Sequence, residues 1–163
     1  MVKRILVATD GSKYSAGAAR EAINFAKKCE SQLYAMSAIE INPEFFALAS
    51  PLFEKTEKAI KKHLERIKAR AAKENVECEI IIREGEAPYR LIIEEADKKQ
   101  ADIIVMGRRG RTGLTRLLMG SVTARVIGHT PRKVLVVPGT SSIKWRNIVL
   151  ATDGSKHSRT AAE

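Results

Sequence analysis

The chain has 163 residues, 29 of them Lys or Arg against 19 Asp or Glu, for a formal net charge of +10. At 44% hydrophobic and 29% charged it has the composition of a soluble globular domain able to bury a core, which excludes a mostly disordered chain. No apolar stretch approaches the roughly 18 residues of a spanning helix, and Cys29 and Cys78 are too few for a disulfide framework.

In chain order, Ile5 to Thr9 is a short apolar run stopped by Asp10-Gly11-Ser12, the pattern of a buried strand and its turn. Residues 14–29 place Ala18, Ala19, Ala22, Ile23 and Ala26 on one face of a helix. Leu33 to Ile39 gives a second strand. A loop with Pro43 and Pro51 follows, in which Phe45, Phe46 and Leu48 can pack. A Lys/Glu-rich helix over 52–74 then carries Leu52, Ile60, Leu64, Ile67 and Ala71 along one stripe. Residues 78–82 form a third strand, 87–99 a helix with Leu91, Ile92 and Ala96, and 103–106 a fourth strand. After a Gly- and Arg-rich stretch, 121–127 reads as a helix ended by Gly128 and Pro131, and Val134 to Val137 is the fifth strand. Strands alternating with helices predict an α/β domain over residues 1–138, a doubly wound parallel sheet with helices on both faces.

The remainder repeats the beginning. Ile148 to Lys156 matches Ile5 to Lys13 at an offset of 143 residues, with Leu-Val exchanged to Val-Leu. The match continues at Ser15/Ser158, Ala18/Ala161 and Ala19/Ala162. The offset is one domain length, so 146–163 is expected to be the first strand and turn of a second, truncated repeat behind a linker over 139–145. Lacking its sheet, Ile148 to Ala151 is expected to be disordered, to pair with an edge, or to swap between chains. The opening residues show no cleavage-site pattern, and the cysteines suit a reducing setting, so a cytoplasmic location is expected.

Ligands of open α/β sheets bind beyond the carboxyl ends of the strands, where the winding direction reverses. Thr9-Asp10-Gly11-Ser12 follows the first strand. Gly107-Arg-Arg-Gly110-Arg-Thr-Gly113 follows the fourth, with Gly120-Ser121-Val122-Thr123 at the next helix start. Glycines let backbone N–H groups approach a phosphate, Ser121 and Thr123 add hydroxyls, and the helix start adds positive potential. Asp10 suits ribose hydroxyls or a divalent cation beside phosphates. Together these predict a nucleotide site. Ordinary loop glycines, and a turn that merely caps the first helix with Ser12 or Ser15, account for the single motifs equally well.

Other chemistry finds less support. The Gly-Lys-Ser/Thr ending of a P-loop is absent. His63, on the Lys-rich helix, reads as a solvated or packed histidine. His129 sits near a helix end, where a cation suits the dipole, and His157 lies in the tail. Cys29 and Cys78 read as small buried hydrophobes. No general base is paired with a nucleophile, so catalytic residues are not expected. A phosphoacceptor receiver would need an aspartate where the third strand instead ends in Ile82-Arg83-Glu84-Gly85.

At these residues the sequence resembles the ATP-binding branch of the universal stress protein family. That branch carries G-x2-G-x9-G-[ST], complete here as Gly107, Gly110, Gly120 and Ser121. The opening Ile-Leu-Val-Ala-Thr-Asp-Gly-Ser and the closing Val-Leu-Val-Val-Pro138 are similar to its first and last strands. The resemblance implies an open five-stranded sheet of order 3-2-1-4-5, adenine nucleotide alpha hydrolase-like, with nucleotide between strands one and four. Carried over by position, Ala8, Thr9 and Asp10 would line the adenosine, and Ala38 with Ile39 would contact adenine. Met106, Gly107, Arg108 and Gly110 would flank ribose and phosphates, and Gly120, Ser121, Val122 and Thr123 would hold the phosphates. Which of Arg108 and Arg109 turns inward stays open. The resemblance further implies ATP, AMP or ADP as ligand, Mg or Mn reaching Asp10 through the triphosphate, at most weak hydrolysis, and a homodimer through Val134 to Val137.

The charge fits that expectation. Residues 1–100 hold 18 basic and 16 acidic side chains, whereas 101–163 hold 11 and 3. Within 103–133 stand Arg108, Arg109, Arg111, Arg116, Arg125, Arg132 and Lys133 without one acid. A polyanion is the expected partner, first a nucleotide and alternatively a nucleic acid through this basic surface. Against nucleic acid stand the 5% aromatic content and the absence of a reader motif.

Overall fold

The computed structural model describes residues 2–41, 50–110, 119–139, 142–144, 146–156 and 158–159. Phe45, Phe46, Leu48, Arg111 to Gly113, Arg116, His157, Ala161 and Ala162 lie outside the described residues, as do the side chains of Pro51 and Leu52.

Five parallel strands pair in the order β3-β2-β1-β4-β5. They are β1 (Arg4–Ala8), β2 (Gln32–Glu40), β3 (Cys78–Gly85), β4 (Ile103–Gly107) and β5 (Lys133–Val137). Four helices alternate with them: α1 (Ala16–Cys29), α2 (Ser50–Lys73), α3 (Pro88–Lys98) and α4 (Ser121–His129). This is the expected doubly wound sheet. Successive side chains of a strand point to opposite faces. In β1, Ile5 and Val7 join one core with Ala18, Ala22, Leu64 and Ile67 from α1 and α2. Leu6 and Ala8 join the other with Leu91, Ile92, Ala96 and Val126 from α3 and α4. Both faces are covered, which is why β1 and β4 read as unbroken apolar runs.

Three boundaries differ from the sequence expectation for physical reasons. β3 runs on to Gly85 because its ladder with β2 continues to the pair Glu40↔Gly85. Arg83 within it is held by the buried Glu95 of α3 at 2.7 Å. α4 passes through Gly128 and stops only at Thr130, extended at φ −93° and ψ 139°, as residues before proline prefer. α1 begins at Ala16, since residues 12–15 form a turn of their own in which the Ser15 hydroxyl donates to Ser12 O at 3.0 Å. Ser15 stands at the N-cap position but makes no side-chain cap bond.

Cys78 is buried as expected, and burial pushes its thiol up to about 11. Cys29, in the last turn of α1, is only half-buried. His129 donates from Nδ1 to Arg125 O at 2.8 Å in the last turn of α4.

Beyond β5 the chain folds back over α1. A Cβ on Gly17 would stand 2.8 Å from both Pro138 O and Gly139 O, so α1 begins flush against this segment. Ile143 packs against the α1–α2 core and donates its N–H to the buried Glu21 at 3.2 Å. Further on, Ile148, Val149 and Leu150 are 82%, 95% and 52% exposed and form no strand among the described residues. The turn after them nonetheless reproduces the first one. Gly154 N–H donates to Thr152 Oγ1 at 3.2 Å, Ser155 N–H to Asp153 Oδ1 at 2.9 Å, and Gly154 has φ +77°.

Candidate functional site

β1 is bordered by β2 and β4, yet the chain leaves β1 toward the α1 face and leaves β4 toward the α4 face. The two carboxyl ends therefore diverge, and a cleft of about 600 Å3 opens between them.

On the β1 side, Thr9 is fixed at every polar atom. Its N–H donates to Met36 O at 2.9 Å, and its carbonyl accepts from the Ser37 hydroxyl at 2.6 Å. Its Oγ1 accepts from Gly11 N–H at 3.3 Å and lies 2.9 Å from Ser15 Oγ and 3.1 Å from His63 Nε2. Proton counting sets the directions. Ser15 gives its only proton to Ser12 O, so Thr9 donates to Ser15, and His63 donates from Nε2 to Thr9. His63 thereby anchors the first turn from α2. Its pKa is lowered from the ordinary value, chiefly by burial; the Asp10 charge opposes the shift and the Arg66 charge adds to it.

Asp10 follows with Oδ1 accepting from Ser12 N–H at 3.0 Å. Gly11, at φ +75°, supplies the left-handed conformation that this turn needs. On the β4 side, a Cβ on Gly107 would stand 3.0 Å from Tyr14 O and 3.2 Å from both Arg109 O and Ser15 Cα, so glycine is required where the two turns touch. Gly110 brings its Cα against Asp10, where a Cβ would stand 3.0 Å from Oδ2.

Gly120 opens α4 and donates its N–H to Arg108 O at 2.8 Å, drawing the helix start over the loop. Thr123 is buried and donates its hydroxyl to Gly107 O at 3.0 Å, so it braces the loop. The first helical bond of α4 runs from Ala124 N–H to Gly120 O. The amides of Ser121, Val122 and Thr123 precede that bond and belong to the helix end that favours anions.

The cleft gathers Ala8, Thr9, Asp10, Ala38, Ile39, Met106, Gly107, Gly110, Gly120, Ser121, Val122 and Thr123, as the sequence leads one to expect. Arg108 is the exception. It is exposed, its N–H is spent on Val137 O at 3.0 Å, and Arg109 lines the cleft in its place. Ser15, Glu40, Thr56, Pro88 and Ile92 line it as well and were not singled out by the sequence. Apolar Ile39, Met106, Ile92 and Val122 offer a slot for a flat ring, and the α4 start with Arg109 offers positive potential. Among the described residues no group of three or more His, Cys, Asp or Glu side chains could hold a metal ion, so a cation at Asp10 needs further ligands from a bound molecule.

Comparison with known proteins matches this arrangement. The family model described as the universal stress protein family matches residues 1–138. Universal stress protein MJ0531 of Methanocaldococcus jannaschii is 38% identical over 141 residues, covering 84% of this chain and 82% of the relative. Universal stress protein UspA from Lactobacillus plantarum superposes with a TM-score of 0.77 at 25% identity, covering 83% of this chain and 97% of that one. A universal stress protein solved in complex with cAMP gives a TM-score of 0.63 at 26% identity, covering 85% and 98%. With the family model spanning the whole folded unit and the sheet order agreeing, this chain belongs to the universal stress protein family.

Proposed function

We propose that this chain binds an adenine nucleotide, ATP or its AMP and ADP products, and serves as a stress-response or signalling module with at most weak hydrolysis. The observation that carries the proposal is the approach of Gly110 to Asp10 Oδ2 beneath the start of α4. It sets a carboxylate for ribose hydroxyls opposite amides and hydroxyls for phosphates, beside an apolar slot for the base. The cAMP held by the related structure is a ligand of the same class. Mg or Mn would enter with a triphosphate, bridged to Asp10 through phosphate oxygens. No residue is assigned a catalytic role, since the His63 Nε2 proton is committed to Thr9. Calorimetric titration with ATP, AMP and GTP tests the reading: tighter binding of ATP and AMP than of GTP is expected, and no adenine-nucleotide binding would overturn it.

The same reading extends to assembly and setting. β5 is an edge strand whose Val134, Leu135 and Val136 stay half-buried, so antiparallel pairing with a second copy would cover it. Light scattering on the purified chain is expected to give a dimer. The repeated turn at Thr152 to Ser158 favours a tandem arrangement, with 1–138 as the first unit and 146–163 as the start of a second. No helix among the described residues is long and apolar enough to cross a membrane, and a cytoplasmic location is proposed. The nucleic-acid alternative is disfavoured because several arginines of the basic stretch, among the described residues, are engaged elsewhere. Arg132 is engaged by Asp97 and Ala101 O, Arg125 lies over Tyr89, and Arg109 faces the cleft.

A further inference from the structure

A second cleft, of about 580 Å3, lies on the α2 side of the β1–α1 turn. It shares Asp10 and Thr56 with the first, so the two adjoin at those residues. Its walls carry an unusual set of groups. Lys55 and Arg66 bring two fixed positive charges from α2, against the single carboxylate of Asp10. Ser12 Oγ, also in the wall, is buried with no hydrogen-bond partner in the structure. Buried hydroxyls ordinarily find a partner, and a ligand oxygen in this cleft would supply one.

His63 completes the set. Its Nε2 is tied to Thr9, and the Cγ–Cδ2 side of its ring packs on Gly11, whose Cβ would stand 3.7 Å from Cγ and 3.8 Å from Cδ2. The ring also forms part of the wall of this cleft. Two cations and an orphan hydroxyl match the oxygens of a phosphoryl group, for which guanidinium and ammonium groups are the usual protein partners.

We propose that this second cleft is a phosphoryl subsite, adjoining the nucleotide cleft at Asp10 and Thr56. Its ligand is either free inorganic phosphate or the terminal phosphoryl group of a polyphosphate nucleotide seated in the first cleft; the second source rests on the nucleotide-binding reading.

The test is a nuclear magnetic resonance titration of the isotope-labelled full chain with sodium phosphate, AMP and ATP. Amides of Gly110 and Gly120 report the first cleft, and the Ser12 amide with the His63 ring reports the second. For free phosphate, sodium phosphate alone shifts Ser12 and His63 saturably. For a terminal phosphoryl group, ATP shifts Ser12 and His63 beyond the shift that AMP transmits through Asp10, whose Oδ1 accepts from Ser12 N–H, and both nucleotides shift Gly110 and Gly120. In either case Lys55→Ala and Arg66→Ala, both exposed, each weaken the second-cleft response about tenfold and leave the AMP response at Gly110 and Gly120 intact. The proposal is overturned if phosphate leaves Ser12 and His63 unmoved and ATP moves them no further than AMP does, or if the two variants leave the response unchanged. Failure of every nucleotide to move Gly110 and Gly120 overturns the nucleotide reading instead, and the sodium phosphate arm then decides the subsite alone.

Discussion

Asp10 and Gly110 sit so close across the cleft that a methyl group on Gly110 would stand 3.0 Å from the Asp10 Oδ2. The carboxylate cannot simply swing aside, because its other oxygen accepts from Ser12 N–H at 3.0 Å and holds the turn. Gly110→Ala is therefore expected to displace the Asp10 side chain while the sheet stays folded. Losing one charged hydrogen bond to a nucleotide corresponds to about tenfold in affinity. Calorimetry with AMP, beside an unchanged denaturation midpoint, is the check; unaltered affinity would refute the assigned role of Asp10.

The motif glycines are not equivalent, and the difference is measurable. Gly107 faces three backbone atoms at 3.0 to 3.2 Å, none of which can rotate away. Gly107→Ala should cost about 2 kcal/mol of stability by overpacking. Gly120, at φ −69°, has its nearest neighbour at 3.5 Å, an ordinary contact. Gly120→Ala should leave stability within about 0.5 kcal/mol of the parent, whereas Gly120→Val should abolish nucleotide binding by filling the phosphate space. Urea denaturation of the three variants separates the glycine that folds the loop from the one that serves the ligand.

What the sequence made legible follows from range. The periodicity of Ile5 to Ala8 and the spacing of Gly107, Gly110 and Gly120 are local signals, and both appear in place. β3 reads short in the sequence because Arg83-Glu84 looks like a strand end. The ladder to Glu40 and the ion pair with Glu95, 12 residues away, are what carry it on. His63 reads from the sequence only as a solvated or packed histidine, again because its partner is distant. Its partner Thr9 is 54 residues distant, and nothing in a Lys-rich helix marks one histidine as facing inward. Arg108 and Arg109 are neighbours of identical chemistry, so only the loop's path decides that Arg109 lines the cleft.

Thr9 and His63 should be energetically coupled. Thr9→Val removes the acceptor of both Gly11 N–H and His63 Nε2 and the donor to Ser15, within a buried cluster. A loss of about 2 kcal/mol is expected. His63→Phe alone removes one of those bonds. In the double variant the losses should fall short of additivity by about 1 kcal/mol. Additive losses would mean that the 3.1 Å contact carries no energy.

The lowered pKa of His63 gives the fold a pH signature. Its unfolded value is the ordinary 6.5, and burial leaves the folded value below that. Between the two, the unfolded chain binds more protons, so stability is lost as pH falls from 6.5 to the folded value and is constant for this group below it. His63→Gln keeps an amide donor for Thr9 but does not titrate. The parent's denaturation midpoint should fall in that window relative to the variant's; parallel midpoints would show that His63 titrates as in the unfolded chain.

The segment after β5 should respond to a single atom on α1. Gly17 packs against Pro138 O and Gly139 O, and a methyl group there would stand 2.8 Å from each. Carbonyls of a docked backbone can yield only by moving the backbone. Gly17→Ala should therefore lift the segment off α1, freeing Ile143 from the core and leaving the buried Glu21 without the Ile143 N–H. Losing a bond to a buried carboxylate should cost about 2 kcal/mol, and the loosened chain should become open to proteases that need an extended substrate. Limited trypsin digestion reads this directly, since Lys144 and Arg146 follow the docked residues. Cleavage at these sites should be faster in Gly17→Ala than in the parent, and equal rates would show that the segment is not seated on α1.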